Sequence, residues 1–182
     1  MSLIPWSSWQ RVVEKGPEWE QIGQVLERYG FGRLCVWAVA AGLNEYQLKG
    51  KAEVSYWPPL YKLTRESILP ETLQQLEDIL RPFYSRERLA KRKLERLHRF
   101  LGSELAGQMW TSEPVDLASR FTKIWTELAR VMGQEPQDKT ISFALKCLAI
   151  ALIRAGNHDF DFSAIPIPVD LRVGSRRLKC IS

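Results

Sequence analysis

From Pro17 onward the apolar positions recur at three- and four-residue steps, and no stretch alternates over the length of a strand. Trp19, Ile22, Val25 and Leu26 share one face of a helix that Pro17 opens and Gly30 closes. Residues 34–41, LCVWAVAA, are apolar all round and predict a buried central helix rather than an amphipathic one. After Gly42 the pattern gives a short helix, broken by Gly50 and closed by Pro58 and Pro59. Leu73, Leu76, Ile79 and Leu80 stripe the helix that follows Pro70, which Pro82 interrupts. The next helix has Leu89, Leu94, Leu97 and Leu101 on its dry side, with Phe100 beside them. Residues 102–114 read as a loop. A helix over 115–132 turns Leu117, Phe121, Ile124, Trp125 and Leu128 inward. Gly133 to Pro136 makes a turn, and an apolar helix over 139–155 stops at Gly156 and Asn157. The pattern predicts an all-α protein without internal repeats.

Composition narrows the class. A chain of 182 residues, 45% apolar and free of low-complexity tracts, can bury one sizeable core. It fits a single helical domain over 1–182, or two small lobes at 1–110 and 111–182. No apolar run approaches the roughly 18 residues that a membrane span needs. The opening MSLIPWSSW lacks the basic start and apolar stretch of a secretory signal, so a cytoplasmic protein is expected. Cys35, Cys147 and Cys180 are scattered and odd in number; they read as reduced thiols, with Cys35 and Cys147 in the core. His98 and His158 are the only histidines. His158 lies in NHDFDF, which reads as a hydrophilic loop rather than a metal site. With no zinc spacing, P-loop or dinucleotide fingerprint, no cofactor or metal is expected.

The distribution of charge says more than the net +5. Within residues 85–100, SRERLAKRKLERLHRF, seven Arg and Lys stand against Glu87 and Glu95, a local +5 that equals the whole chain's charge. One reading is a solvated helix laced by Glu87/Lys91 and Glu95/Arg99 at i,i+4 spacing. The other is a phosphate-binding face formed by Arg86, Lys91, Arg92 and Lys93, with binding steeply dependent on salt.

Two segments carry candidate chemistry. Residues 128–146, LARVMGQEPQDKTISFALK, read as helix, tight turn and helix; residues 163–170, SAIPIPVD, form a proline-stiffened connection that delivers Asp170. From position alone Lys139 is a lysine in the first turn of a helix, and Asp170 caps the helix beginning DLRVGSRRLKC. The order and separation of Asp138-Lys139-Thr140, with Phe143 and Lys146, and of Ile165-Pro166-Ile167-Pro168-Val169-Asp170, with Arg172-Val173, add a resemblance. In these residues the chain resembles the archaeal-type 8-oxoguanine DNA glycosylase/lyases, a divergent branch of the helix-hairpin-helix DNA glycosylases. Weaker likeness extends back to about Pro17.

The resemblance implies a helix-hairpin-helix glycosylase bundle that acts as a monomer on double-stranded DNA containing a damaged base. It makes Lys139 the amine that forms a Schiff base at C1′ while the base departs, with β-elimination following. Attack requires a neutral amine. Burial against the apolar residues of its helix, and the partial positive charge of the helix N-terminus, would both favour that form. Asp170 becomes the carboxylate that stabilises positive charge developing on the deoxyribose. Gly133 falls in a hairpin whose backbone amides grip a phosphate, and Trp57, Phe143, Lys146 and Pro168 match residues of the base pocket. Three departures stand against the pattern. Glu18 replaces a glutamine that hydrogen-bonds the oxidised base, and Glu45 replaces a serine. The family also continues beyond the point equivalent to Ser182 into helices that supply an aspartate and a tryptophan. The competing class is a non-catalytic helical module for DNA or a protein partner, in which Lys139 contacts phosphate.

Overall fold

The computed structural model of the chain is described for residues 13–161. Among these residues there is no strand. Helix α1 (Pro17–Tyr29) and helix α2 (Phe31–Asn44) are separated by Gly30 alone, and Pro17 opens α1 as the sequence predicts. Every residue of α2 from Leu34 to Asn44 is buried, which is why its sequence carries no polar face.

The prolines at 58 and 59 act opposite to expectation. After the single-turn α3 (Ala52–Ser55), they occupy the first turn of α4 (Trp57–Glu66) and open that helix rather than close the preceding one. A first-turn N–H has no intrahelical partner, so proline costs nothing there. Helix α5 (Leu73–Tyr84) begins at Thr72, whose hydroxyl accepts from the Gln75 amide at 3.2 Å, and it continues two residues past Pro82.

Helix α6 (Ala90–Leu101) carries the basic segment in a register different from the predicted one. Its buried side chains are Lys93, Leu97, Phe100 and Leu101, while Leu89 precedes the helix with φ 55° and is 49% exposed. Residues 102–114 are not simply a loop, because α7 (Glu104–Trp110) lies within them. Ser103 caps this helix by accepting from the Ala106 amide at 3.2 Å, and Leu105, Ala106 and Met109 are driven into the core. The predicted helix over 115–132 is two, α8 (Pro114–Ser119) and α9 (Phe121–Met132), divided at Arg120 where ψ swings to 9°. Helix α10 (Lys139–Arg154) follows the hairpin.

The organising contact is α10 against α2. The two backbones meet at Gly42, where an added Cβ would stand 2.7 Å from Ala144 Cα and 3.0 Å from Cys147 Sγ. Glycine is required there by that close approach. Around this crossing the polar tips of Trp37, Tyr56 and Tyr84 are satisfied inside the core. Trp37 Nε1 donates to Thr64 Oγ1 at 2.9 Å, and Tyr56 OH donates to the Ala41 carbonyl at 2.6 Å, 3.0 Å from Tyr84 OH. Cys35 and Cys147 are buried free thiols, as expected. None of the described helices is long and apolar enough to cross a membrane.

Candidate active site

Along α10 every residue from Ile141 to Ile153 is buried except Phe143 and Lys146, which are half-buried, and Lys139 at the helix start is exposed. Positions 139, 143 and 146 are one and two turns apart and therefore share a face. Between Ile141 and Ile153 the helix is otherwise sealed into the core, so Phe143 and Lys146 continue the accessible side that begins at Lys139.

Two carboxyl groups approach the stripe from other elements. Glu18, in the first turn of α1, is buried and ion-paired with Lys146 Nζ, which also stands 5.0 Å from the centroid of Phe143. Gly16 leaves room for this carboxylate, since a Cβ there would lie 2.5 Å from Glu18 Oε1. Glu45 follows the last turn of α2 and accepts from Trp57 Nε1 at 2.9 Å. Burial, then the negative field of Glu18, push the Glu45 carboxyl up to about 8, against the opposing pull of the Trp57 hydrogen bond and of Lys146. Near neutral pH Glu45 is therefore a protonated acid that can donate a hydrogen bond, beside the Glu18–Lys146 ion pair.

Trp57 is fully buried, packed edge-on against Trp37 at 6.0 Å and Tyr56 at 5.5 Å between centroids. It presents no open face, so a base can stack on it only after neighbouring side chains move aside. A shallow cleft lined by Gln24, Arg28, Tyr61 and Arg65 shares no residue with this cluster.

The hairpin leading into the stripe is rigidly built. Gly133 takes the left-handed conformation at φ 62°, the Gln134 amide bonds the Ala129 carbonyl at 3.0 Å, and the Gly133 amide bonds that of Arg130 at 3.1 Å. These two bonds complete a Schellman closure of α9. Trp125 Nε1 donates to the Pro136 carbonyl at 2.7 Å, and Arg99 Nη1 donates to the Met132 carbonyl at 3.1 Å. Gly133 is exposed.

Two expectations are corrected. Lys139 is exposed rather than enclosed by the apolar residues of its own helix, which point away into the core. Lys93 does not face outward with Arg86, Lys91 and Arg92. Its side chain is fully buried, 3.3 Å from Glu87 Oε2 and over the rings of Tyr46 and Tyr56 at 5.3 and 6.0 Å. Burial lowers its pKa while Glu87 opposes that shift. A lysine so committed cannot reach a phosphate without breaking a buried ion pair. Arg86, Lys91 and Arg92 are exposed, as a phosphate-binding face requires. Asp170 and Pro168 lie outside the described residues.

The sequence of the AGOG N-glycosylase/DNA lyase family matches residues 1–181 of this chain. The chain belongs to the AGOG family. An N-glycosylase/DNA lyase of Methanopyrus kandleri is 34% identical over 140 residues, covering 74% of this chain and 55% of that protein. The crystal structure of Pa-AGOG, the 8-oxoguanine DNA glycosylase of Pyrobaculum aerophilum, complexed with 8-oxoguanosine, superposes with a TM-score of 0.70 at 19% identity. That match covers 90% of this chain and 60% of the Pyrobaculum chain. The chain thus spans little more than half the length of either AGOG relative. Its helices adopt the AGOG fold, with the hairpin and the lysine-bearing helix side by side.

Proposed function

We propose that this chain is a DNA glycosylase with lyase activity, acting on an oxidised purine in double-stranded DNA, with 8-oxoguanine the leading substrate. The observation that carries the reading is the one face of α10 shared by exposed Lys139 and half-buried Phe143 and Lys146, met by Glu18 and followed, beyond the described residues, by Asp170. Membership of a family of N-glycosylase/DNA lyases supports the reaction class, and the Pyrobaculum relative's complex with 8-oxoguanosine supports the choice of base.

In this mechanism the neutral Lys139 amine attacks C1′ of the deoxyribose and the C1′–N bond to the base breaks, its electron pair leaving with the base, which takes up a proton. The nitrogen sheds a proton, the sugar ring opens, and a Schiff base joins Lys139 to C1′. Loss of a C2′ proton then expels the 3′ phosphate. Positive charge builds on the sugar in the first step, and Asp170 is assigned to stabilise it. Lys139 is exposed in the free protein, so bound DNA must supply the water-excluding wall that its own helix does not. Glu18, Glu45, Lys146 and Trp57 form the cluster that reads the base. A neutral Glu45 can donate to a base carbonyl or ring nitrogen, which an ionised glutamate cannot.

The test is release of free 8-oxoguanine from a duplex under single-turnover conditions, compared with undamaged guanine. Release confined to the lesion supports the reading. Tight duplex binding with no base release favours the alternative, a DNA-binding module in which the exposed Lys139 contacts phosphate.

A further inference from the structure

Arg96 belongs to the most basic helix of the chain, yet its guanidinium is turned inward. Nη1 donates to Gln134 Oε1 at 2.7 Å, and Nη2 donates to the Leu43 carbonyl and to Thr140 Oγ1, both at 3.1 Å. These acceptors sit on three separate pieces of the fold. Leu43 is in the last turn of α2, two residues before Glu45; Gln134 is in the hairpin beside Gly133; Thr140 follows Lys139 in the first turn of α10. The hairpin side chains extend the network: Thr140 Oγ1 donates to Gln134 Oε1 at 3.2 Å, and Gln134 Nε2 donates to Asp138 Oδ2 at 3.1 Å. Arg96 Cζ lies 5.5 Å from the centroid of the Tyr46 ring, and the residue is half-buried.

We propose that Arg96 is a positioning residue of the site, a three-way latch that fixes the hairpin and the Lys139 end of α10 against the end of α2 that carries Glu45. The inference rests on the functional reading above, because it concerns the geometry between the attacking amine and the base-reading cluster. Arginine suits the task and lysine does not. A planar fork with five donors can bond acceptors in several directions at once, whereas an ammonium on a flexible stem holds no fixed angle between them. The positive charge also sits at the C-terminal end of α2, where helix carbonyls lack intrahelical partners. A phosphate-binding arginine would keep its donors outward, as Lys91 and Arg92 do; Arg96 has committed its terminal donors to the protein. A small misplacement of a reacting amine is enough to slow chemistry by about a hundredfold without weakening binding.

Arg96→Lys separates this role from the alternatives, because it keeps the charge and removes the fork. Three quantities are measured on the full chain: Schiff-base trapping by borohydride on an abasic-site duplex at saturating enzyme, duplex affinity as a function of salt, and amide hydrogen exchange over residues 134–140. The latch predicts trapping slowed at least tenfold, affinity and salt slope unchanged within twofold, and faster exchange across the hairpin. Thr140→Val, which removes one acceptor and leaves the arginine in place, should slow trapping in the same way and covers the case in which Arg96→Lys does not fold. Combining the two should add less than a further twofold, since both break one network. Native trapping in both variants, or multiplicative losses, would overturn the proposal. So would a salt slope reduced by about one unit with trapping at saturation intact, which would make Arg96 a phosphate contact. A native chain that traps nothing contradicts the functional reading instead. The exchange measurement then judges the latch by itself, and unchanged exchange over 134–140 would sink it.

Discussion

The indole N–H of Trp57 donates to the carboxyl of Glu45 across 2.9 Å, tying α4 to the end of α2 within the cluster that also holds Glu18 and Lys146. The bond favours an ionised Glu45, but burial and the field of Glu18 outweigh it and raise the carboxyl to about 8.

That balance fixes a direction of pH dependence. The folded chain holds a proton on Glu45 that the unfolded chain releases near the ordinary carboxylate value, so stability falls as pH rises from about 4.5 through 8 and levels off above. Glu45→Gln removes the titration while keeping an acceptor for Trp57. The variant should melt close to native at pH 5 and above native at pH 9, with a difference of the order of 2 kcal/mol. Thermal melts at the two pH values check this; a variant less stable at pH 9 than at pH 5, relative to native, would contradict it.

Lys146 and Glu18 give a second expectation, concerning a buried charge left alone. Removing one partner of a fully buried pair costs about 3–5 kcal/mol. Lys146 keeps 34% of its side-chain exposure, so solvent offsets part of the loss, and Lys146→Met should cost about 2 kcal/mol. Adding Glu18→Gln to that variant removes the orphaned charge and should restore most of the stability. Urea titration of the two singles and the double decides the matter; a double variant no more stable than Lys146→Met would mean that Glu18 finds its compensation elsewhere.

The basic helix divides into an inner and an outer set, and the two should respond differently. Exchanging Lys91 and Arg92 for Gln should flatten the dependence of log K on log salt by up to roughly 0.9 for each phosphate that is no longer neutralised, while leaving the melting temperature near native. Lys93→Gln should do the reverse, lowering stability through Glu87 and leaving the slope alone. Equal slopes for native and the Lys91/Arg92 variant would move the DNA to another face.

The features legible in the sequence are those that depend on neighbours along the chain. The uniformly apolar α2, the stripe on α1, the glycine at the hairpin and the boundaries of α10 all follow from local periodicity and local breakers. Asp138-Lys139 with Phe143 and Lys146 is legible for the same reason: helical spacing alone puts 139, 143 and 146 on one face. The departures have equally local causes. Proline can end one helix or begin the next, and at 58–59 the burial of Trp57 and Leu60 decides for a beginning. In residues 102–114, Gly102 and Gly107 obscure a helix whose stability comes from Leu105, Ala106 and Met109 in the core.

On α6 a leucine stripe leaves no place for Lys93 as an inward residue. Its partner Glu87 is only six positions away, but nothing in the spacing marks the pair as buried, and the rings of Tyr46 and Tyr56 come from another part of the chain. The Arg96 network joins residues 38, 44 and 53 positions apart, a separation that one sequence does not disclose. Glu45 carries a faint signal, a single acid directly after a long apolar helix, where it could be expected to sit half in the core.

The central claim is that Lys139 is the amine that becomes attached to DNA. The most direct measurement is borohydride trapping of the native chain and of Lys139→Gln on the same lesion-bearing duplex, with duplex affinity measured alongside. The native chain should form a covalent adduct and the variant none, although both bind the duplex with affinities within a few-fold of each other. Trapping of Lys139→Gln at the native rate, or none by the native chain, would contradict the account.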